Sequence, residues 1–141
     1  MSSFREMFGQ LLHATGQSRA PKTVEIDGWF IFAEGLLILL SPQPIAGLLH
    51  FGPLSHDGLT FLHSAGVLVA GIGMLYFVSG RMNAEGFVFA TLLDRPLVPP
   101  IMAGLWYSGK VPGLLALVFA AQELGSFLWT LLTWRADLRG E

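Results

Sequence analysis

From Thr60 to Ser79 the chain runs without a single Asp, Glu, Lys or Arg. A helix needs about 20 predominantly apolar residues to cross the hydrocarbon of a bilayer, and this stretch supplies them. Two comparable runs follow, from about Ala84 to Tyr107 and from Pro112 to Trp134, and one precedes it, from about Thr23 to Ser41. Composition agrees: 52% of the 141 residues are hydrophobic and 13% are charged, against about 25% charged in a soluble domain. The expected fold is all-α, an integral membrane four-helix bundle in one compact unit. Its spans are 23–41, 60–79, 84–107 and 112–134, within a transmembrane domain over 23–135 and ahead of a tail at 136–141.

The segment 1–22 reads differently. Phe4, Met7, Phe8, Leu11 and Leu12 recur at spacings of three and four, with Arg5, Glu6, Gln10 and His13 off that stripe. This is one apolar helix face, suited to lying in the membrane interface. It lacks the continuous apolar core and small-residue cleavage site of a signal peptide. Gly16 to Pro21 is expected to break it. Residues 42–59 hold Pro42, Pro44, Gly47, Gly52, Pro53 and Gly58 around Ile45, Leu48, Leu49 and Phe51, and read as an interfacial loop with at most one helical turn.

Arg5, Arg19, Lys22, Arg81, Arg135 and Arg139 fall in segments that share one side of a four-span chain, and only Lys110 falls opposite. Cytoplasmic segments carry the excess of Lys and Arg, so both termini are expected on the cytoplasmic or equivalent side. Trp29, Trp106, Tyr107 and Trp134 stand near span ends, as interfacial anchors do. There is no cysteine, which excludes disulfides, thiolate nucleophiles and cysteine zinc sites. No basic block exists, so nucleic acid is not an expected partner. The chain has no nucleophile elbow, phosphate-binding loop or His-Glu-x-x-His. Gly71-Ile72-Gly73 and the Gly66/Ala70 pair follow no strand and read as helix packing. His56 and His63 are about 10 Å apart along a helix, too far to share a metal, and no metal or cofactor is expected.

Glu34, Asp94, Arg95 and Glu123 lie where lipid should be. A surface loop at Asp94-Arg95-Pro96 would leave only Leu97 to Tyr107 as the third span, too short to cross. The cluster is therefore embedded, with Pro96, Pro99 and Pro100 distorting the helix. At about 1.5 Å per residue, Glu34 stands about 10 Å above Asp27, Arg95 about 16 Å above Ala84, and Glu123 about 16 Å above Trp134. All three reach the middle of the membrane. Asp27, Glu34 and Ser41 recur every seven residues on the first span. Ala116, Ala120, Glu123, Ser126, Thr130 and Thr133 make a small-and-polar stripe on the fourth. Charge facing lipid is costly, so these stripes should face one another.

Three stretches resemble the small four-helix membrane proteins of the DoxX-like kind and the related uncharacterised bacterial and fungal families. They are Ala33-Glu34-Gly35-Leu36-Leu37 ending in Pro42; Gly71-Ile72-Gly73-Met74-Leu75-Tyr76 followed by Arg81; and the Arg95 helix with Glu123 ahead of Trp129-Thr130. The resemblance covers about 27–135 and implies a four-helix fold, with no activity attached. A second likeness is to membrane isomerases and cyclases acting on sterols or terpenes, which gather acids and aromatics around an apolar pocket. No motif of theirs matches residue by residue, so no role is carried over.

Two functions follow as expectations. One is an intramembrane cavity for a lipophilic small molecule, with Glu34, Glu123, Arg95 and Asp94 as the acid–base set of a cofactor-free isomerase or cyclase. His63 would stand at its mouth, and Trp106, Tyr107, Trp129 and Phe119 would line it. The other is an accessory subunit of a larger membrane complex, with Arg95 as a structural ion-pair residue. The expected partners are membrane lipids, the lipophilic molecule, and either further copies of the chain or that larger complex.

Overall fold

In the computed structural model, which describes residues 3–140, the ordered elements are all helical: α1 Phe4–Leu12, α2 Arg19–Leu40, α3 Pro42–Leu48, α4 His56–Arg81, α5 Glu85–Asp94, a 3-10 turn Arg95–Leu97, α6 Val98–Tyr107 and α7 Gly113–Arg139. The ends of the two terminal segments, 1–2 and 141, lie outside the described residues. Three stretches are long and apolar enough to cross a membrane: His56–Arg81, Glu85–Tyr107 and Gly113–Arg139. Their outer faces expose Leu68, Leu75, Phe89, Leu93, Leu117 and Leu132, while the buried hydrophobic residues are mostly small. Apolar outside and small inside is the packing of helices whose solvent is lipid, and the protein is integral to a membrane. Helix α2 is long enough too, but Glu25, Asp27 and Glu34 crowd its apolar stretch.

Helix boundaries depart from the sequence expectation where side chains of other elements intervene. Gly16 to Pro21 does not break the chain for long. Helix α2 starts at Arg19, four residues before the expected span, with Pro21 in its first turn, where a missing N–H costs nothing. Its N-cap Ser18 makes no side-chain cap. The free N–H groups of Arg19 and Ala20 instead donate to the Asp137 carboxylate, at 3.3 and 2.9 Å. That contact needs α7 to continue past Trp134, and it runs to Arg139. Residues 42–48, read as loop, are the helix α3, begun by Pro42. Helix α1 carries a capping box between Ser3 and Glu6.

The tightest contact in the molecule joins α2 and α4. Gly28 and Gly35 on α2 meet Gly66, Gly73 and Gly80 on α4, each set repeating every seven residues. A Cβ built on Gly35 would lie 2.1 Å from the Ala70 nitrogen, and one on Gly73 would lie 2.2 Å from the Phe32 nitrogen. Only hydrogen fits there, and the two backbones touch. The antiparallel register pairs Gly28 with Phe77, Phe32 with Gly73, Gly35 with Ala70 and Leu39 with Gly66. Trp29 stacks on Phe77 beside this seam, with ring centroids 4.2 Å apart.

Pro96 cannot donate to the helix ladder, and the chain passes through the 3-10 turn before α6 resumes. Helix α6 then packs on α7. At the other end Arg81 ties three elements together. Its Nη1 pairs with Glu25 at 2.8 Å, and its Nε donates to the Leu11 carbonyl at 2.7 Å. Gln17 donates to Glu25 and to the Gly80 carbonyl, both at 2.8 Å.

Candidate functional site

The guanidinium of Arg95 is fully buried. A helical side chain leans back toward its own N-terminus, so Arg95 reaches down from the 3-10 turn and not across to Glu34. Its Nη2 forms an ion pair with Asp27 Oδ2. Its Nη1 donates to Thr130 Oγ1 at 3.2 Å. Thr130 lies 2.9 Å from Thr23 Oγ1, and Thr23 donates to the Ala20 carbonyl at 2.8 Å. The proton order follows by elimination. Thr23 has spent its proton on Ala20, so Thr130 donates to Thr23 and accepts from Arg95.

The Ser126 hydroxyl lies 2.9 Å from Asp27 Oδ1 and 2.8 Å from the Gln122 carbonyl, so its one proton serves both acceptors. The Tyr76 ring covers the guanidinium face, 5.2 Å from centroid to Cζ. Glu123 stands 3.8 Å from Arg95 Nε, too far for a hydrogen bond, and that Nε has no hydrogen-bond partner. Arg95 thus clamps α2 to α7. Asp27 is its principal counter-ion and Glu123 a secondary one.

Glu34 belongs to a different site. Its Oε2 accepts from Gln122 Nε2 at 3.0 Å. Both residues line an open-sided cavity of about 200 Å³ between α2, α3, α4 and α7, where Leu37, Leu48, Val118 and Phe119 are exposed. The rest of the lining is apolar and includes Leu37, Ile45, Leu48, Val69, Val118 and Phe119. Helix α3 closes one wall, which is what its prolines and its apolar residues accomplish together. A mostly apolar concavity with a few convergent polar groups is the usual form of a small-molecule site.

The expected residues therefore separate. Arg95 and Glu123 come together, with Asp27 as the counter-ion. Glu34 sits apart with Gln122 and, of the expected aromatics, with Phe119. Asp94 is exposed on α5 and makes no ion pair or hydrogen bond among the described residues. His63 is exposed as well. Its Nδ1 lies 2.9 Å from the Leu39 carbonyl and must carry the proton, because a carbonyl only accepts. It thereby satisfies a carbonyl left free at the C-terminal end of α2. Trp106 lines a second, apolar cavity of about 370 Å³ between α6 and α7, with Pro99, Ala116 and Ala120. Tyr107 and Trp129 are exposed.

The sequence expectation did not include Gln122, Asp27 or Tyr76 among the site residues. Asp27 carried a signal in its heptad spacing to Glu34 on the inward stripe, which does not single it out as the partner of Arg95. Gln122 carried one only in its place next to Glu123. Set against known protein families, curated proteins and solved structures, the chain matches none.

Proposed function

We propose that the protein is a four-span membrane receptor or carrier for a lipophilic small molecule, held with its polar end against Glu34 and Gln122. In this reading α2 is the first of the four crossings, α1 lies in the interface, and both termini face the cytoplasm. The α2 acids do not prevent crossing, because Asp27 is paired with Arg95 and Glu34 with Gln122. The four-helix layout is also what the DoxX-like resemblance implies. The observation that carries the functional reading is a single one. An ionisable side chain and an amide are the polar groups of an otherwise apolar cavity to which helix α3 contributes a wall. Ionisable groups inside membranes are expensive and face functional cavities or partners.

Acid–base catalysis, if turnover accompanies binding, runs through Glu34, the acid that faces this cavity. Arg95 lines none of the cavities described above, and its role is to hold helices together. The test is native mass spectrometry of the protein extracted gently from its own membrane, wild type beside Glu34→Leu. The expected result is a discrete lipophilic mass on the wild type that the variant lacks. Bulk phospholipid alone, identical on both, would refute the reading.

A second reading, an accessory subunit of a membrane complex, is favoured by Asp94. This carboxylate is exposed in the middle of a candidate crossing helix, with no ion-pair or hydrogen-bond partner among the described residues. A neighbouring protein with a membrane-embedded cation would satisfy it. The same experiment reports it, as stoichiometric partner chains.

A further inference from the structure

Resting on the pocket reading above, we infer that the bound molecule carries a positively charged, hydrogen-bond-donating head: it is a lipophilic amine and not a lipophilic acid. Acceptors, donors and charge at the polar end of the cavity point to such a head. Glu34 offers two carboxylate oxygens, and only Oε2 is engaged, by Gln122. The amide of Gln122 is oriented by that contact: beside a carboxylate its NH2 must turn toward Glu34, which leaves its Oε1 turned away. Among the described residues neither Glu34 Oε1 nor Gln122 Oε1 has a hydrogen-bond partner, and neither is sealed off, because the only unpartnered buried side-chain polar atom there is Arg95 Nε. Two accessible acceptors therefore remain on residues that line the cavity.

The charge count points the same way. Arg95 is the cation of the neighbouring cluster. It is committed to Asp27, with Glu123 at 3.8 Å as a further claim on it. No lysine, arginine or histidine is among the residues lining the cavity. The Glu34 carboxyl thus has no cation beside it in a mostly apolar lining, and a charged group there gains from an opposite charge. An alkylammonium head supplies the missing charge and donates to both Glu34 Oε1 and Gln122 Oε1, while its chain fills the aliphatic walls. A neutral alcohol has one proton for two acceptors. A carboxylate head would bring a second anion to Glu34, and two carboxylates so placed cannot both stay ionised.

Three photoreactive probes of equal chain length, differing only in an amine, alcohol or carboxylate head, test this on the full chain in phosphatidylcholine nanodiscs. Labelled peptides from α2, α3 and α7 are quantified. The amine should label these peptides at concentrations about tenfold or more below the acid, as expected for a buried, hydrogen-bonded charge pair. The isosteric Glu34→Gln should lose that advantage, bringing amine labelling down to the level of the alcohol. Leu115→Phe, which fills the cavity, should lower all three probes together. Equal labelling by acid and amine, or amine labelling that survives Glu34→Gln, overturns the charge inference alone. If no probe labels these peptides above the α5 and α6 background, the pocket reading itself fails.

Discussion

Replacing Asp27 by Leu should cost more stability than the loss of any other carboxylate around Arg95. Three acids lie near Arg95 at this level of the membrane, but they are not equivalent. Asp27 is buried, ion-paired and hydrogen-bonded to the guanidinium, and it also takes the Ser126 hydroxyl. Glu123 stands at 3.8 Å without a hydrogen bond, and Asp94 is exposed. Removing one member of a buried pair leaves an uncompensated charge and costs about 3–5 kcal/mol. Glu123 remains to offset part of that, so about 3 kcal/mol is expected for Asp27→Leu. Glu123→Gln, which breaks no hydrogen bond to Arg95, should cost about 1 kcal/mol or less, in the range of weakly held pairs.

The decisive comparison is the double variant Asp27→Leu/Arg95→Met, which removes both charges and keeps apolar volume in the core. It should be at least as stable as Asp27→Leu alone, with a coupling energy of about 2 kcal/mol between the sites. Reversible unfolding in mixed micelles, with wild type, Asp27→Leu, Arg95→Met, the double variant and Glu123→Gln side by side, measures all of these values. Additive losses in the double variant, or an Asp27→Leu protein within about 0.5 kcal/mol of wild type, a change typical of plain surface substitutions, would refute the clamp.

Other substitutions have equally definite outcomes. Gly35→Ala and Gly73→Ala place a methyl group against backbone that cannot yield and should each cost about 1–3 kcal/mol. Gly71→Ala, two residues from Gly73 with open space around its Cβ, should be neutral or stabilise by up to about 1 kcal/mol. Thermal unfolding of the three reports the contrast. Asp137→Asn weakens the carboxylate cap on Arg19 and Ala20 and should cost about 1 kcal/mol, read as faster amide exchange in the first turn of α2. Arg81→Ala removes the bonds to Leu11 and Leu12 and should expose the 13–18 linker to proteolysis while leaving α4 intact.

Most of the fold was legible because lipid imposes a simple code. The uncharged run at Thr60–Ser79 marked α4. The argument that Asp94-Arg95-Pro96 could not be a loop without truncating a span recovered the continuous crossing Glu85–Tyr107, with the proline break inside it. The seam of Gly66, Ala70 and Gly73 was recognisable as packing from its small residues.

The site was less legible, for a geometric reason. Depth along a helix can be counted at 1.5 Å per residue, and that count set Glu34, Arg95 and Glu123 at one level, whereas the Arg95 guanidinium meets Asp27, about two turns from Glu34 on α2. The count does not give direction. Arg95 leans toward its helix N-terminus and meets Asp27 instead of Glu34. Asp27 was hidden because α2 begins at Arg19, which places it two turns inside the helix. That early start depends on Asp137, more than a hundred residues away in sequence, and no local pattern announces it. Helix α3 was hidden by its prolines, which stop one helix and begin another with the same chemistry.

The absence of cysteine makes the most direct test of the pocket simple, since a single introduced thiol reports alone. Phe119→Cys places it in the cavity wall and Leu128→Cys on the outer face of the same helix. The parent side chains have similar exposure in the isolated chain, 42% and 48%. A membrane-permeant maleimide is applied to native membranes and to protein delipidated in detergent. The account predicts protection of Phe119→Cys in native membranes that is lost on delipidation, with Leu128→Cys reacting alike in both. Equal rates for the two thiols in native membranes would contradict it, because the cavity would then hold nothing but ordinary lipid.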